Sequence, residues 1–190
     1  MMTIVPMKED VVSYMQQKQS TQDQFDKAIQ HTNDLSYAMD LAGLEFTPAA
    51  YGTKIQSWLE TKYGWSSIPQ HLNEGDFNCQ SMDMVELKVS IIKKGSKANL
   101  LNLRLDSPVS NYMFIIRNTL KQYTKMFLIP KKEVQYMVDT YKEGRYNKHH
   151  NKHADIRLDV DCIVWDDDPD LNLWSYMHKF EICEQTLKGL

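Results

Sequence analysis

The sequence has few cysteines, no long apolar run and no large excess of charge of either sign. Its cysteines, Cys79, Cys162 and Cys183, show no paired spacing, so we expect no disulfide framework and a reducing compartment. No apolar run approaches the roughly 20 residues that a membrane-spanning helix needs. The first residues also lack the apolar segment of a secretory signal. We therefore expect a soluble, cytoplasmic protein without a membrane anchor.

The formal net charge of -3 over 190 residues excludes a uniformly basic nucleic-acid coat, although it leaves room for a local basic patch. The phosphate-cradling glycine loop of NTP-dependent enzymes is missing. The sequence also has no Gly-x-Ser-x-Gly elbow and no cysteine with an obvious histidine partner. NTP-dependent chemistry and nucleophilic catalysis by serine or cysteine are therefore not supported.

Hydrophobic spacing divides the chain into an N-terminal helical arm, residues 1–46, and a core, residues 47–190, within a single domain. The arm is expected to end near Gly43, which would cap its last helix. A second helical pattern begins with Pro48 in its first turn and ends at Gly64.

Downstream of these helices the pattern changes to strands. Strands are predicted at residues 84–92, 99–105, 111–118 and 125–130, the first two forming a hairpin. They are followed by a helix at residues 131–143, a strand within residues 154–165 and a last helix near residues 171–187. This order predicts an α/β or α+β fold, with a central mixed sheet flanked by helices.

Glu86 and Lys88 interrupt an otherwise apolar strand. Residues two apart in a strand point to the same side, so these two charges share the face opposite the core. If Asp76 lies beside them, two carboxylates and the backbone carbonyl of Leu87 supply the hard oxygen ligands that Mg²⁺ prefers, with Mn²⁺ as the alternative ion. Lys88 would then assist the attacking water or a scissile phosphate. The set suits metal-dependent phosphodiester hydrolysis.

Two other interpretations of these residues stay open. Asp83 is a rival for the first carboxylate, although its odd offset from Glu86 places it on the apolar face of a regular strand. Alternatively, Glu86 and Lys88 form a surface ion pair on an edge strand, and Asp76 caps a turn.

The residues Gly75-Asp76, followed ten positions later by Glu86-Leu87-Lys88, resemble the motif of the PD-(D/E)xK nuclease superfamily, in particular its restriction-endonuclease branch. Glycine stands where the family's name has proline. Either residue is expected to bend the chain there. The motif is short and degenerate, so the resemblance rests also on its surroundings.

The resemblance covers roughly residues 48–129, with a helix before the aspartate and a hairpin after it. It implies a restriction-endonuclease-like fold and a metal-dependent DNA endonuclease, of type II or phage-encoded, in a bacterial or phage-infected cell. Asp76, Glu86, Lys88 and Glu60 would be catalytic. The preceding helix would bring an acidic residue, Glu60, close to the metal.

Basic and amide residues near the site are candidates for DNA contacts, since phosphate contacts give affinity without sequence information. These candidates are Lys93, Lys94, Lys97, Asn102, Arg104, His149 and His150. The lysines equally suit a solvated hairpin tip, whereas Asn102 and Arg104 are expected together on one strand face. The histidine-rich loop has no cysteine or carboxylate at a familiar zinc-ligand spacing, so a basic loop is the preferred interpretation there.

The expected partner is double-stranded DNA. Cutting both strands with one site per chain favours a homodimer, whose symmetry would match a palindromic target. Two other functions are kept as alternatives. One is a non-catalytic DNA-binding or assembly protein of the same fold. The other is a repair or recombination nuclease without sequence preference.

Overall fold

The fold is taken from a computed structural model, which describes residues 8–69, 75–79, 83–141, 144–146, 156–162 and 172–188. The helices in these ranges are α1 (Lys8–His31), α2 (Leu35–Glu45), α3 (Pro48–Tyr63), α4 (Lys131–Thr140), α5 (Leu173–Met177) and α6 (Glu184–Leu187). The strands are β1 (Ser66–Ser67), β2 (Phe77–Cys79), β3 (Asp83–Ile92), β4 (Lys97–Leu103), β5 (Asn111–Asn118), β6 (Tyr123–Pro130), β7 (Gly144–Tyr146), β8 (Ile156–Asp161) and β9 (Glu181–Ile182).

The described strands form two sheets. The larger has the order β1-β2-β3-β5-β6-β9, and the smaller has the order β4-β8-β7. Strand β3 pairs antiparallel with β2 and parallel with β5, so the larger sheet is mixed. The predicted class, a mixed sheet flanked by helices, is confirmed at this level.

The predicted hairpin of residues 84–92 with residues 99–105 is wrong. Strand β4 pairs with β8, and it crosses over the large sheet on the way from β3 to the parallel strand β5. Its apolar residues Ala98, Leu100 and Leu103 enter the core between the two sheets, together with Ile92 of β3. Burying this apolar face places β4 over β3, rather than beside it in one ladder.

Two cores lie on opposite faces of the large sheet. One lies between the sheet and helices α1 to α3, and it takes Val85 and Leu87 from β3 and Met113 from β5. The other lies between the sheet, the small sheet and helices α4 and α5. Helix α2 supplies Ala38 and Met39, both 0% exposed, to the first core. The predicted arm thus packs directly onto the sheet.

Several predicted helix boundaries need correction. Gly43 does not cap α2, which continues to Glu45. Its lack of a side chain serves packing instead, because a Cβ there would lie 3.2 Å from the Ile91 side chain. By contrast, α3 ends as predicted at Gly64, which caps it with φ 69°.

The predicted last helix near residues 171–187 is interrupted in the structure. It is divided into α5, a 3₁₀ turn at His178–Phe180, strand β9 and α6. Strand β9 pairs with β6 and so ends the helix by joining the large sheet. Among the described helices, none is both long and apolar enough to cross a membrane.

Candidate functional site

A sharp bend at Gly75 brings the chain onto strand β2. Gly75 has φ 107°, and a Cβ there would lie 2.8 Å from the Val109 side chain and 3.0 Å from the Val85 carbonyl oxygen. Proline is held near φ −65° by its ring, so it cannot adopt this conformation. The expectation that either residue would serve at this position is therefore wrong: the bend requires glycine.

The bend places Asp76 across from Val85 and Leu87, in the first half of strand β3. Its backbone N–H donates to the Val85 carbonyl at 2.9 Å. Its side-chain Oδ2 accepts a hydrogen bond of 2.7 Å from the Leu87 N–H. The carboxylate thus continues the hydrogen bonding along β3 past the point where β2 pairs with it, which is residues 83–85.

Glu86 and Lys88 lie on the face of β3 that the alternation predicts. The Lys88 Nζ donates to Glu86 Oε1 at 2.6 Å, and the two side chains are 18% and 17% exposed. Val85 and Leu87 point to the opposite face and are buried against the helices. Glu86 and Lys88 thus form the ion pair of the alternative interpretation, on the part of β3 that lies beyond its pairing with β2, and the pair is partly buried rather than fully exposed.

The Asp76 carboxylate is in electrostatic contact with this pair. Burial and the neighbouring Glu86 carboxylate raise the pKa of Asp76 to about 6, against the opposing effects of the Leu87 N–H, Lys88 and Arg104. A carboxylate whose charge raises the pKa of another carboxyl group lies close to that group. The structure therefore brings Asp76, Glu86 and Lys88 together, and we call these three residues the carboxylate site.

The backbone N–H and carbonyl of Leu87 face the carboxylate site. In a strand the N–H and C=O of one residue point to the same edge. Since the Leu87 N–H reaches Asp76, its carbonyl points to that edge as well. Each carboxylate uses one oxygen in the contacts above, so Asp76 Oδ1, Glu86 Oε2 and the Leu87 carbonyl are the candidate metal ligands. No group of three or more histidine, cysteine or acidic side chains that could hold a metal gathers anywhere in the described residues, so this site offers two carboxylates and one backbone carbonyl.

Two neighbours of the site have roles that sequence reasoning missed. Tyr112 of β5 stands opposite Glu86 in the parallel ladder, and its hydroxyl donates to the Arg104 carbonyl at 2.6 Å. Burial, with the Glu86 and Asp106 charges adding to it, raises the pKa of Tyr112 to about 12. Arg104 was predicted as a DNA contact, and its positive charge also acts on Asp76. Only the pairing of β3 with β5 reveals that Tyr112 lies beside Glu86.

Arg104 and Asn102 do not share a regular strand face, so that prediction is wrong. Strand β4 ends at Leu103, and its register shifts between Leu100 and Leu103. Asn102 in this irregularity has φ 56°, a left-handed conformation that asparagine tolerates better than most residues. Arg104 follows in the loop and is exposed.

The predicted lysines differ in their surroundings. Lys94 and Lys97 are exposed at the turn and at the start of β4. Lys93 instead donates to the Gly43 carbonyl at the end of α2. His149 and His150 lie outside the described residues. Glu60 accepts a hydrogen bond from Gln56 of its own helix. Its proposed place near a metal stays a prediction.

A cleft of about 620 Å³ runs along β3 and includes Lys88 of the carboxylate site in its lining. Its floor is the β3 segment from Leu87 to Ile91, and its walls come from the start of α3 and from β4 and β8. Its polar lining includes Lys88, Asn99, Asn102 and Arg157. We call this the edge cleft, because β2 leaves the β3 edge unpaired in the ladder beyond Val85.

In comparisons with known proteins, no protein-family model matches this sequence, and no curated protein matches it either.

Proposed function

We propose that this protein is a metal-dependent DNA endonuclease of the PD-(D/E)xK superfamily, with a restriction-endonuclease-like fold. The observation that carries the proposal is the position of the Asp76 carboxylate, hydrogen-bonded to the Leu87 N–H between Glu86 and Lys88 of β3. Burial and the Glu86 charge raise the pKa of Asp76 to about 6, whereas Lys88 lowers it. A carboxylate held in this way costs stability, and perturbed groups of this kind concentrate at functional sites.

The donor set suits a hard divalent cation. Asp76, Glu86 and the Leu87 carbonyl would hold Mg²⁺, or Mn²⁺ in its place, because all three offer oxygen ligands. A cation near both carboxylates would also favour their ionised forms and relieve the repulsion between them. When bound, the metal supplies Lewis-acid stabilisation of the charge that develops on a phosphodiester.

The positive side chains of the site have complementary roles in this proposal. Glu86 holds the Lys88 ammonium at 2.6 Å, so the charge is oriented before any substrate arrives. Lys88 would stabilise the attacked phosphate and the attacking water, and preorganised charge in a partly buried site is effective in this role. Arg104, whose charge already acts on Asp76, would contact an adjacent phosphate. Glu60 would add an acidic group from α3.

The proposed substrate is double-stranded DNA, cut at specific sequences. Lys93, Lys94, Lys97, His149 and His150 would contribute phosphate contacts. A homodimer would place one carboxylate site on each strand of a palindromic target.

The test is incubation with plasmid and phage DNA in Mg²⁺, Mn²⁺ or EDTA, followed by mapping of the ends. Discrete fragments in the presence of metal support sequence-specific cleavage, and a smear identifies a nuclease without sequence preference. Glu86→Ala is expected to keep DNA binding and to lose cleavage, whereas Glu45→Ala, at an exposed position at the end of α2, keeps both. Wild-type protein that binds DNA but cuts none would indicate a non-catalytic binding protein.

A further inference from the structure

The charged side chains that line the edge cleft are opposite in sign to the formal charge of the whole protein. The protein carries a formal net charge of -3. Among the described residues that line the cleft, however, the charged side chains are Lys88 and Arg157, and both are positive. Their carboxylate partners, Glu86 and Asp159, are not part of the lining. A polar cleft with this lining suits an anionic ligand.

Arg157 of β8 is held in position before any ligand binds. Its Nε donates to Asp159 Oδ1 at 2.6 Å, and its Nη2 donates to Asn99 Oδ1 at 2.8 Å. The Arg157 side chain is still 48% exposed, whereas Asp159 is 12% exposed. These two bonds use the Nε and Nη2 edge of the guanidinium, and Nη1 takes no part in either of them. A fixed, planar guanidinium loses little entropy when it binds a phosphate.

An irregularity in β4 adds a second polar group to the same wall. Leu101 and Asn102 are consecutive exposed residues, which regular alternation would not allow. The register shift between Leu100 and Leu103 and the φ of 56° at Asn102 produce this arrangement. Bulges often redirect a side chain toward a binding site. Here both residues line the edge cleft.

We propose that the edge cleft binds the phosphodiester backbone of a nucleic-acid strand, with Arg157 as the principal phosphate-binding side chain and Asn102 beside it. The inference rests on the proposed function for its ligand class. It adds a binding residue that lies far from the carboxylate site in sequence, and it gives the strand a direction of entry along β3. Duplex and single-stranded substrates share this backbone chemistry.

Binding in EDTA tests the cleft without cleavage. A fluorescent duplex and a single strand of the same sequence are titrated with wild-type protein, Arg157→Gln and Lys132→Gln at several salt concentrations. Lys132, 81% exposed on α4, is the matched loss of one positive charge outside the cleft. Arg157→Gln is expected to weaken binding roughly tenfold, with little effect from Lys132→Gln.

The salt dependence identifies the contact and the kind of strand. Loss of one phosphate contact reduces the slope of log K against log salt by about 0.9 for a duplex and about 0.7 for a single strand. A reduced slope with one of the two probes identifies the strand that occupies the cleft. Equal affinities and slopes for Arg157→Gln and Lys132→Gln would overturn the proposal, and so would wild-type protein that binds neither probe.

Asp159→Asn provides a test of opposite sign. The amide keeps an oxygen that can accept the Arg157 hydrogen bond, but it removes the negative charge beside the guanidinium. Binding is expected to become about threefold tighter. A purely structural role of Arg157 would instead make both variants weaker, with losses of thermal stability that circular dichroism measures.

Failure of the cleft and failure of the nuclease proposal are distinguishable. If wild-type protein cuts DNA while Arg157→Gln binds normally, the nuclease proposal stands and the cleft proposal falls. If Arg157→Gln loses binding but no metal supports cleavage by wild-type protein, the cleft binds nucleic acid without catalysis.

Discussion

Asp40 and Asp76 each lie beside a positive side chain, yet their surroundings have opposite effects on charge. Asp40 accepts hydrogen bonds of 2.8 and 2.7 Å from Arg117, whose side chain is 4% exposed and which also donates to Gln122. This contact raises the pKa of Arg117, so it favours the charged form. At Asp76, burial and Glu86 dominate and disfavour the charged form.

The difference separates a structural pair from a candidate functional group. The pair of Asp40 and Arg117 joins α2 to β5, and its two charges compensate each other. Asp76 keeps an incompletely compensated charge near Glu86, which folding alone does not require. Four experiments can break or sharpen this comparison.

The largest expected effect is on catalysis at Asp76. Asp76→Asn keeps the shape of the side chain and an acceptor for the Leu87 N–H but removes the charge that would hold a metal. We expect Mg²⁺-dependent DNA cleavage to fall by about 1000-fold or more, measured as initial rates on plasmid. Asp40→Asn should cut at the wild-type rate wherever it is folded. Equal rates for Asp76→Asn and wild type would remove Asp76 from the mechanism.

The second effect is on stability at Asp40. Asp40→Ala leaves the buried Arg117 guanidinium without its carboxylate partner, and breaking such a pair costs about 3 kcal/mol in free energy of unfolding. Urea denaturation measures this loss. Asp23→Ala, at an exposed position on α1, is the control and should change stability by less than about 0.5 kcal/mol. If Asp40→Ala lowers the free energy of unfolding no more than Asp23→Ala does, water compensates the Arg117 charge as well as the Asp40 carboxylate does.

The third effect is a change in the free energy of unfolding at Asp76, and its size depends on pH. The folded pKa of Asp76, about 6, lies above its ordinary value of 3.8, so folded protein binds a proton more tightly than unfolded protein. Its contribution to stability is present below pH 4 and is lost as the pH rises through 6. Asp76→Asn should therefore be more stable than wild type by about 2 kcal/mol at pH 7.5, and the difference should vanish near pH 4.

Urea titrations across this range, in EDTA, check the third prediction. Asp23→Asn should follow the wild-type curve at every pH. If the difference in free energy of unfolding between Asp76→Asn and wild type is the same from pH 4 to 7.5, the surroundings of Asp76 do not destabilise its ionised form.

The smallest effect is a metal-dependent gain in stability. A cation that binds the folded site at millimolar affinity adds about 1 kcal/mol at 10 mM Mg²⁺, because it binds only the native state. Wild type and Asp139→Asn, a change on α4, should both gain, and Asp76→Asn and Glu86→Ala should not. A scanning calorimetry series in Mg²⁺ and Ca²⁺ measures the shift. The same gain in all four proteins would mean that the cation binds elsewhere.

Much of the local structure could be predicted from spacing. The alternation in β3 correctly assigned Glu86 and Lys88 to one face and Val85 and Leu87 to the other. The pattern ending at Gly64 correctly gave the end of α3. The pairing of β4 could not be predicted, because β3 and β4 are joined by a short turn that suits a hairpin. The choice of β8 depends on which apolar faces can be buried together.

The candidate site was predictable in part for the same reason. Asp76, Glu86 and Lys88 were identified by residue type and spacing, and the fields acting on Asp76 agree with their grouping. Tyr112 and Arg157 reach their positions through strand pairing with distant segments, so no local pattern marked them. Gly75 was noticed, but its requirement for φ 107° is a property of the surrounding contacts.

The order of residues alone determined the helix and strand periodicities, and therefore which charges share a face, because these depend on backbone geometry within a few residues. The tertiary structure decided that β4 pairs with β8 in the small sheet, that the Asp76 carboxylate accepts a hydrogen bond from the Leu87 N–H, and that Arg157 lines the edge cleft. Those outcomes depend on burying together apolar faces that lie far apart in the chain. The same burial fixes the positions of the charged groups on those segments.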